Sequence, residues 1–335
     1  MLEEKTIDRN QVIGFSLLAA ILLGYTWWAG NQEVVDSQIQ QNNIVENIEE
    51  GSSGGSFNSS EITVDGSIML DDTTSSAENY NGVEEIYTLE NDKVRYTFNS
   101  IGAQLAQVEL KNYKDYLGNP LYLVNGGQKI SGANKGVFKG VVDRKTEGRK
   151  SLSMKNNDGA EWVFSLGDGY GLNWSLSVPD EENITLKWSQ DGIRHEKSLT
   201  NENQYTTTYF FDAEDEKKDY LSNGKDDEDI ASNISWIAHK QQFFSSIWST
   251  DKPFSSVQLA TTTPAVNDSG HTRQFRSVLQ IAGNNNGVNA QGLIYHGPND
   301  YLELKSFDKN FDEIIPFGWG IFGWISKGIV VPMFN

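Results

Sequence analysis

The chain has 335 residues, 37% hydrophobic and 22% charged, with 31 glycines, 7 prolines and no cysteine. Its formal charge of −19 excludes a nucleic-acid binder, because phosphates need a basic face. The missing cysteine excludes disulfides, thiolate catalysis and Cys-based zinc sites, and leaves the compartment open. The charge is uneven. Residues 31–92 carry 14 acidic and no basic side chains, whereas residues 93–335 carry 25 basic and 29 acidic. The acidity therefore belongs to one segment, and the length beyond it suits one large domain.

Residues 1–11 read as a short cytoplasmic N-terminus. Residues 12–30 (VIGFSLLAAILLGYTWWAG) run without a charge, and as a helix they would span about 29 Å, one hydrocarbon core. The pattern predicts a transmembrane anchor carried by Val12, Phe15, Leu17, Leu18, Ile21, Leu22 and Leu23, with Trp27 and Trp28 at the interface. Lys5 and Arg9 precede it and no Lys or Arg follows before Lys93, which places the N-terminus inside and the remainder outside. A cleaved signal peptide would need small residues where the tryptophans stand. Residues 31–84 are rich in Asn, Gln, Ser, Gly and Glu and read as a disordered acidic tether, with too little apolar surface to offset chain entropy.

From Glu85 the period becomes two. Val94, Tyr96 and Phe98 alternate with polar residues; Leu152 and Met154 precede an Asn156–Gly159 turn, and Trp162, Phe164 and Leu166 follow it. Leu172–Val178 and Ile184–Trp188 alternate likewise. Strands separated by Asn/Asp/Gly turns across residues 85–315 predict a large antiparallel sandwich. Trp236–Trp248 fits either a helical face or a strand, and strand neighbours favour strand. Residues 316–335 hold one charge, Lys327, among Phe317, Trp319, Phe322 and Trp324. They predict a helix lying in the membrane surface, with a second spanning helix opening at Ile329 where the chain ends; a buried core helix is the alternative.

Chemistry-bearing motifs are few. Gly318–Gly323 matches G-x-G-x-x-G, but no acidic residue lies beyond it, and Gly51–Gly55 matches G-x-S-x-G inside the tether; neither has the required strand and helix. His195, His239, His271 and His296 lack ligand spacing and are expected on strands or the surface. Asp226–Asp229 is contiguous, unlike a calcium loop, and is expected to be a solvated loop. No catalytic residue, metal ligand or cofactor is therefore assigned.

Four stretches carry a resemblance. Leu89–Phe98 leads into Asn99–Ala103; Trp236–Phe244 (WIAHKQQFF) contains Trp236, Gln241, Phe243 and Phe244; Tyr295–Tyr301 (YHGPNDY) contains Tyr295, Gly297, Pro298 and Tyr301; and Gly318, Trp319, Gly320, Gly323 and Trp324 close the series. In this order, behind an apolar N-terminal span, they resemble the N-terminal part of the YidC-type membrane protein insertases. The resemblance implies a periplasmic β-supersandwich like that of galactose mutarotase, between an N-terminal transmembrane helix and a C-terminal amphipathic surface helix. It implies an inner-membrane, non-enzymatic role in inserting and folding membrane proteins. The implied partners are the lipid bilayer, the Sec translocon with its accessory subunits, and nascent membrane proteins. It also implies further core helices beyond residue 335, so that the chain is a fragment. The competing expectation is a membrane-anchored sugar-binding or aldose-epimerase-like protein, which would need a His and a carboxylate in one cleft.

Overall fold

The computed structural model describes residues 83–126, 128–132, 136–144, 149–265 and 268–316. The predicted anchor at 12–30, almost all of the tether and the surface helix at Phe317–Lys327 lie outside the described residues. Among the described residues no helix is long and apolar enough to cross a membrane.

The predicted alternation is realised in a four-stranded antiparallel meander: β1 (Ile86–Glu90), β2 (Val94–Asn99), β3 (Gln104–Lys114) and β4 (Pro120–Asn125). Val94, Tyr96 and Phe98 of β2 point inward, all fully buried. The larger sheet takes β5 (Gln128–Ser131), β6 (Lys139–Arg144), β7 (Lys150–Lys155), β8 (Glu161–Leu166), β9 (Gly171–Val178) and β10 (Asn183–Ile193). After helix α1 (Leu199–Gln204) come β11 (Thr207–Asp212), β12 (Lys217–Tyr220), β13 (Asp227–Lys240), β14 (Phe244–Thr262), β15 (His271–Ala282) and β16 (Val288–Pro298). Helix α2 (Tyr301–Lys305) and a 3-10 turn at Phe311–Ile314 follow. Every strand pair is antiparallel.

The β7–β8 hairpin forms where the sequence places it. Asn156 accepts the Ala160 amide on its side chain at 2.9 Å, and Gly159 adopts φ +88°, a conformation in which a Cβ would be strained.

Two strands are longer than the short-strand pattern predicts. β13 has 14 residues and β14 has 19. The first half of β14 pairs with β16, and its second half pairs with β15, so the β13–β14 pair passes from one face of the sandwich to the other. The crossing falls where three extra residues of β14 bulge out: Ile234 opposes Phe254 while Trp236 opposes Ser249. Pro253 sits in that bulge, where its missing N–H interrupts no ladder bond. One layer then runs β12–β11–β13–β14–β16–β9–β8–β7–β6, and the other carries β15, β10 and β5. Trp162, Trp174, Trp188 and Trp248 fill the space between them.

Two expectations are corrected. The acidic run is solvated as expected but opens β13 rather than forming a loop: Asp227–Asp229 pair with Thr261–Leu259, and Asp226 bridges to Arg273 at 3.3 Å. Of the four histidines, His195 alone departs from the expected strand or surface position: it lies on no strand and is buried. His239, His271 and His296 are strand residues.

Candidate functional site

The two central signature stretches meet at one end of the long layer. Trp236–Phe244 is a hairpin, β13 turning into β14, closed by the Gln241 amide on the Phe244 carbonyl at 2.8 Å. Both arms are strand, and Gln242–Phe243 is the tip. Tyr295–Pro298 is the end of β16, with Pro298 paired across to Phe244. Asn299 joins them. Its backbone N–H donates to the Phe243 carbonyl at 2.7 Å. Its side-chain amide donates to the carbonyls of Gln241 and Gln242 at 2.9 and 3.2 Å, and its side-chain oxygen accepts from Ser245 at 2.6 Å. One asparagine thus satisfies the backbone groups that a tight hairpin leaves open.

Each signature residue has a mechanical part. Tyr295 is fully buried and donates to the Pro298 carbonyl at 2.5 Å. Gly297 lies under that ring, where a Cβ would stand 2.6 Å from the Tyr295 hydroxyl. Gln241 donates to the Ile193 carbonyl and to Thr272 Oγ1 at 2.7 and 3.2 Å. Phe244 meets Tyr113 and His195 edge-on at 5.2 and 5.5 Å. Trp236 donates from Nε1 to the Lys309 carbonyl at 2.8 Å and packs edge-on against Phe311 at 5.8 Å. Tyr301 opens α2 behind the Asp300 N-cap and accepts from Lys305 Nζ at 3.1 Å. Phe243 alone points outward, 51% exposed. The arrangement is a latch. It seats residues 301–316 on the sandwich, immediately before the apolar stretch at 317–335.

The latch holds one buried His–carboxylate pair that sequence spacing did not reveal, because its members are seven positions apart. His195 Nδ1 lies 3.7 Å from Glu202 Oε1. His195 Nε2 donates to the Tyr122 carbonyl at 2.9 Å, so Nδ1 offers a lone pair rather than a proton. Glu202 accepts the backbone N–H groups of His195 and Glu196 at 3.2 Å. Burial pushes the Glu202 carboxyl up and the His195 imidazole down. Both residues are sealed, at 1% and 3% exposure. No substrate could reach this pair, and its hydrogen bonds fold a loop.

The open surface is elsewhere. A groove of about 440 Å³ runs over the outer face of β8, β9, β16 and the β14 bulge, lined by Glu161, Ser175, Ser177, Asn289 and Gln291. A second hollow of about 370 Å³ shares Asp251 with it. Asp251 accepts from Gln291 at 2.9 Å and pairs with Lys309 at 3.1 Å. Serines and amides here offer hydrogen bonds, and no histidine lines either hollow. The outward polar positions were legible as strand alternation; the concavity was not, because it depends on sheet curvature.

The family described as the YidC periplasmic domain matches residues 149–332. The chain is 25% identical to a membrane protein insertase YidC of Phocaeicola vulgatus over 98% of this chain and 58% of that one. It is 27% identical to one of Amoebophilus asiaticus over 98% of this chain and 59% of that one. The chain thus spans less than two thirds of the length of these curated relatives. A crystal structure of a galactose mutarotase-like protein from Lactobacillus casei superposes with a TM-score of 0.40 at 12% identity, over 64% of this chain and all of that one.

Proposed function

Since the chain belongs to the YidC periplasmic domain family, we propose that it is the anchor and extracytoplasmic portion of a membrane protein insertase. In this reading it assists insertion and folding of inner-membrane proteins, alone or with the Sec translocon. The observation that carries the reading is the match of 98% of the chain to curated insertases. The latch gives it a physical form. It fixes residues 301–316 rigidly to the sandwich, so a membrane-bound segment at 316–335 would hold the β body in one orientation. Residues 12–30 would anchor the chain, residues 31–84 would give it reach, and residues 85–315 would form a mutarotase-like β-supersandwich in the periplasm. Insertion itself lowers the cost of bringing polar groups into a low-dielectric layer, and that step would fall to the part of the insertase beyond this chain. The reading needs no cofactor and no catalytic residue.

Two experiments test it. Depleting the full-length protein in its own bacterium should leave newly made inner-membrane proteins sensitive to alkaline extraction; unchanged insertion would overturn the reading. For the terminal segment, Trp319→Asp with Trp324→Asp should weaken flotation with liposomes of a chain lacking residues 12–30, because charge opposes burial of an interfacial face. Unchanged flotation would remove the surface-helix assignment. The sugar-binding or epimerase reading would need a histidine and a carboxylate open to a ligand, and the His195–Glu202 pair is sealed.

A further inference from the structure

One row on the inner face of the long layer is polar where its neighbours are apolar. Thr208, His239, Ser246 and His296 stand side by side across β11, β13, β14 and β16, and all four are buried. Each meets a facing element. Thr208 Oγ1 lies 2.8 Å from Thr261 Oγ1 in the second half of β14. The His239 ring is stacked on Trp188 of β10 and on Phe275 of β15, with centroids at 3.7 and 4.6 Å, and its Nε2 lies 3.0 Å from Ser277 Oγ. Ser246 accepts from Gln190 of β10 at 3.0 Å. His296 meets the edge of Tyr96 from β2 at 5.6 Å. The hydroxyl of that tyrosine donates to the Tyr170 carbonyl at 2.7 Å. The row therefore joins the long layer to the small meander at one end and to β10 and β15 at the other.

The rings are suited to this place only while neutral. Nδ1 of His239 and both ring nitrogens of His296 have no hydrogen-bond partner. A protonated imidazole presents two N–H donors and a charge, each needing an acceptor. Among the described residues no carboxylate is bonded or ion-paired to either ring. The charge nearest His239 is Arg276 of β15, on the opposite face of that strand from Phe275 and Ser277; it is paired with Asp191 of β10 at 3.4 Å and still opposes a second positive charge. The titratable groups facing His296 are Tyr96, a weak acid, and His239 itself. Burial holds the His239 imidazole well below its ordinary range and pushes that of His296 down to about 3.

We propose that this row is an acid-operated clasp, in which a proton on His239 or His296 parts the meander and the β10–β15 face from the long layer while the strands persist. Such loosening of tertiary contacts at retained secondary structure is a known response to acid. The inference stands whether or not the insertase reading does.

The test uses the full 335-residue chain in detergent micelles, with urea midpoints read by tryptophan fluorescence and near-UV circular dichroism. Released histidines bind protons below about pH 6.5, whereas the folded ones do not until far lower. Opening therefore takes up protons, and the urea midpoint should fall steadily from about pH 6.5 to 5, a window above most carboxylate titrations. Glu202, whose carboxyl is raised, acts in the opposite direction. His239→Phe with His296→Leu should flatten the slope, lowering proton uptake per opening by about two. His271→Gln, at an exposed ring paired with Asp268 at 2.8 Å, should leave it unchanged. A wild-type midpoint equal at both pH values overturns the clasp and needs no variant to fold. A slope undiminished in the folded double variant, or one removed by His195→Gln instead, overturns it as well.

Discussion

One strand serves two kinds of interior. On β14, Trp248 faces Trp174 and Trp188, each at 5.6 Å; two residues earlier on the same face, Ser246 stands between His239 and His296. Burial alone does not separate the two regions, since Trp248, Ser246, His239 and His296 are each 1% exposed. They differ in what holds them. The aromatic side rests on removed surface and close packing, which are indifferent to pH. The polar side rests on hydrogen bonds and neutral rings, and one proton removes its fit. A contiguous core can therefore be uniform in exposure and uneven in what disrupts it.

The largest effect should come from the aromatic side. Trp174→Ala deletes a ring packed on Trp162 and Trp248 and frees the Ser249 carbonyl that its Nε1 holds at 3.0 Å. The expected loss is about 3–5 kcal/mol, read by urea unfolding and equal at pH 7.5 and 5.5. A loss that changes with pH would break the comparison.

On the polar side, Gln190→Ala leaves Ser246 Oγ and the Leu123 carbonyl without their donor, at an expected cost of about 1–3 kcal/mol. In the background of Ser246→Ala the cost should shrink, because part of the interaction is already gone. Full additivity would show that the bridge to β10 contributes nothing.

Lys240 sharpens the contrast at alkaline pH. Its ammonium is buried against the carbonyls of Tyr205 and Gln241 at 3.3 and 3.5 Å with no carboxylate beside it, and burial pushes it down to about 8. A lysine depressed on folding is charged more readily when unfolded. Stability should therefore rise as the pH passes from 8 toward 9.5, by about 1–2 kcal/mol. Lys240→Met should abolish the rise; a fall over that range would contradict the burial argument.

The smallest effect belongs to the surface. Arg95 pairs with Glu90 and Glu109 at 2.8 and 2.6 Å but is 40% exposed. Arg95→Ala should cost less than about 1 kcal/mol in a thermal melt.

Much of this was legible in the residues. Alternation located β2, β8, β9 and β10, and the Asn156–Gly159 turn fixed the β7–β8 register. The hairpin at Trp236–Trp248 stayed ambiguous because buried strands lose their polar alternation: Trp236–Lys240 and Phe244–Thr250 are buried at every position. The signature stretches could be named from their residues, yet their junction through Asn299 could not, because residues 241 and 299 meet only when β14 and β16 pair. The same holds for the His195–Glu202 pair and for the histidine row, whose members lie on four strands.

Composition, charge and period settled that this is a mainly β chain with a nearly neutral body behind an acidic segment, because those properties follow from local sequence. Tertiary structure decided which polar groups are sealed, where β13 and β14 cross between layers, and that three histidines face the interior. Those outcomes depend on register and sheet packing, which bring together residues that no local pattern relates.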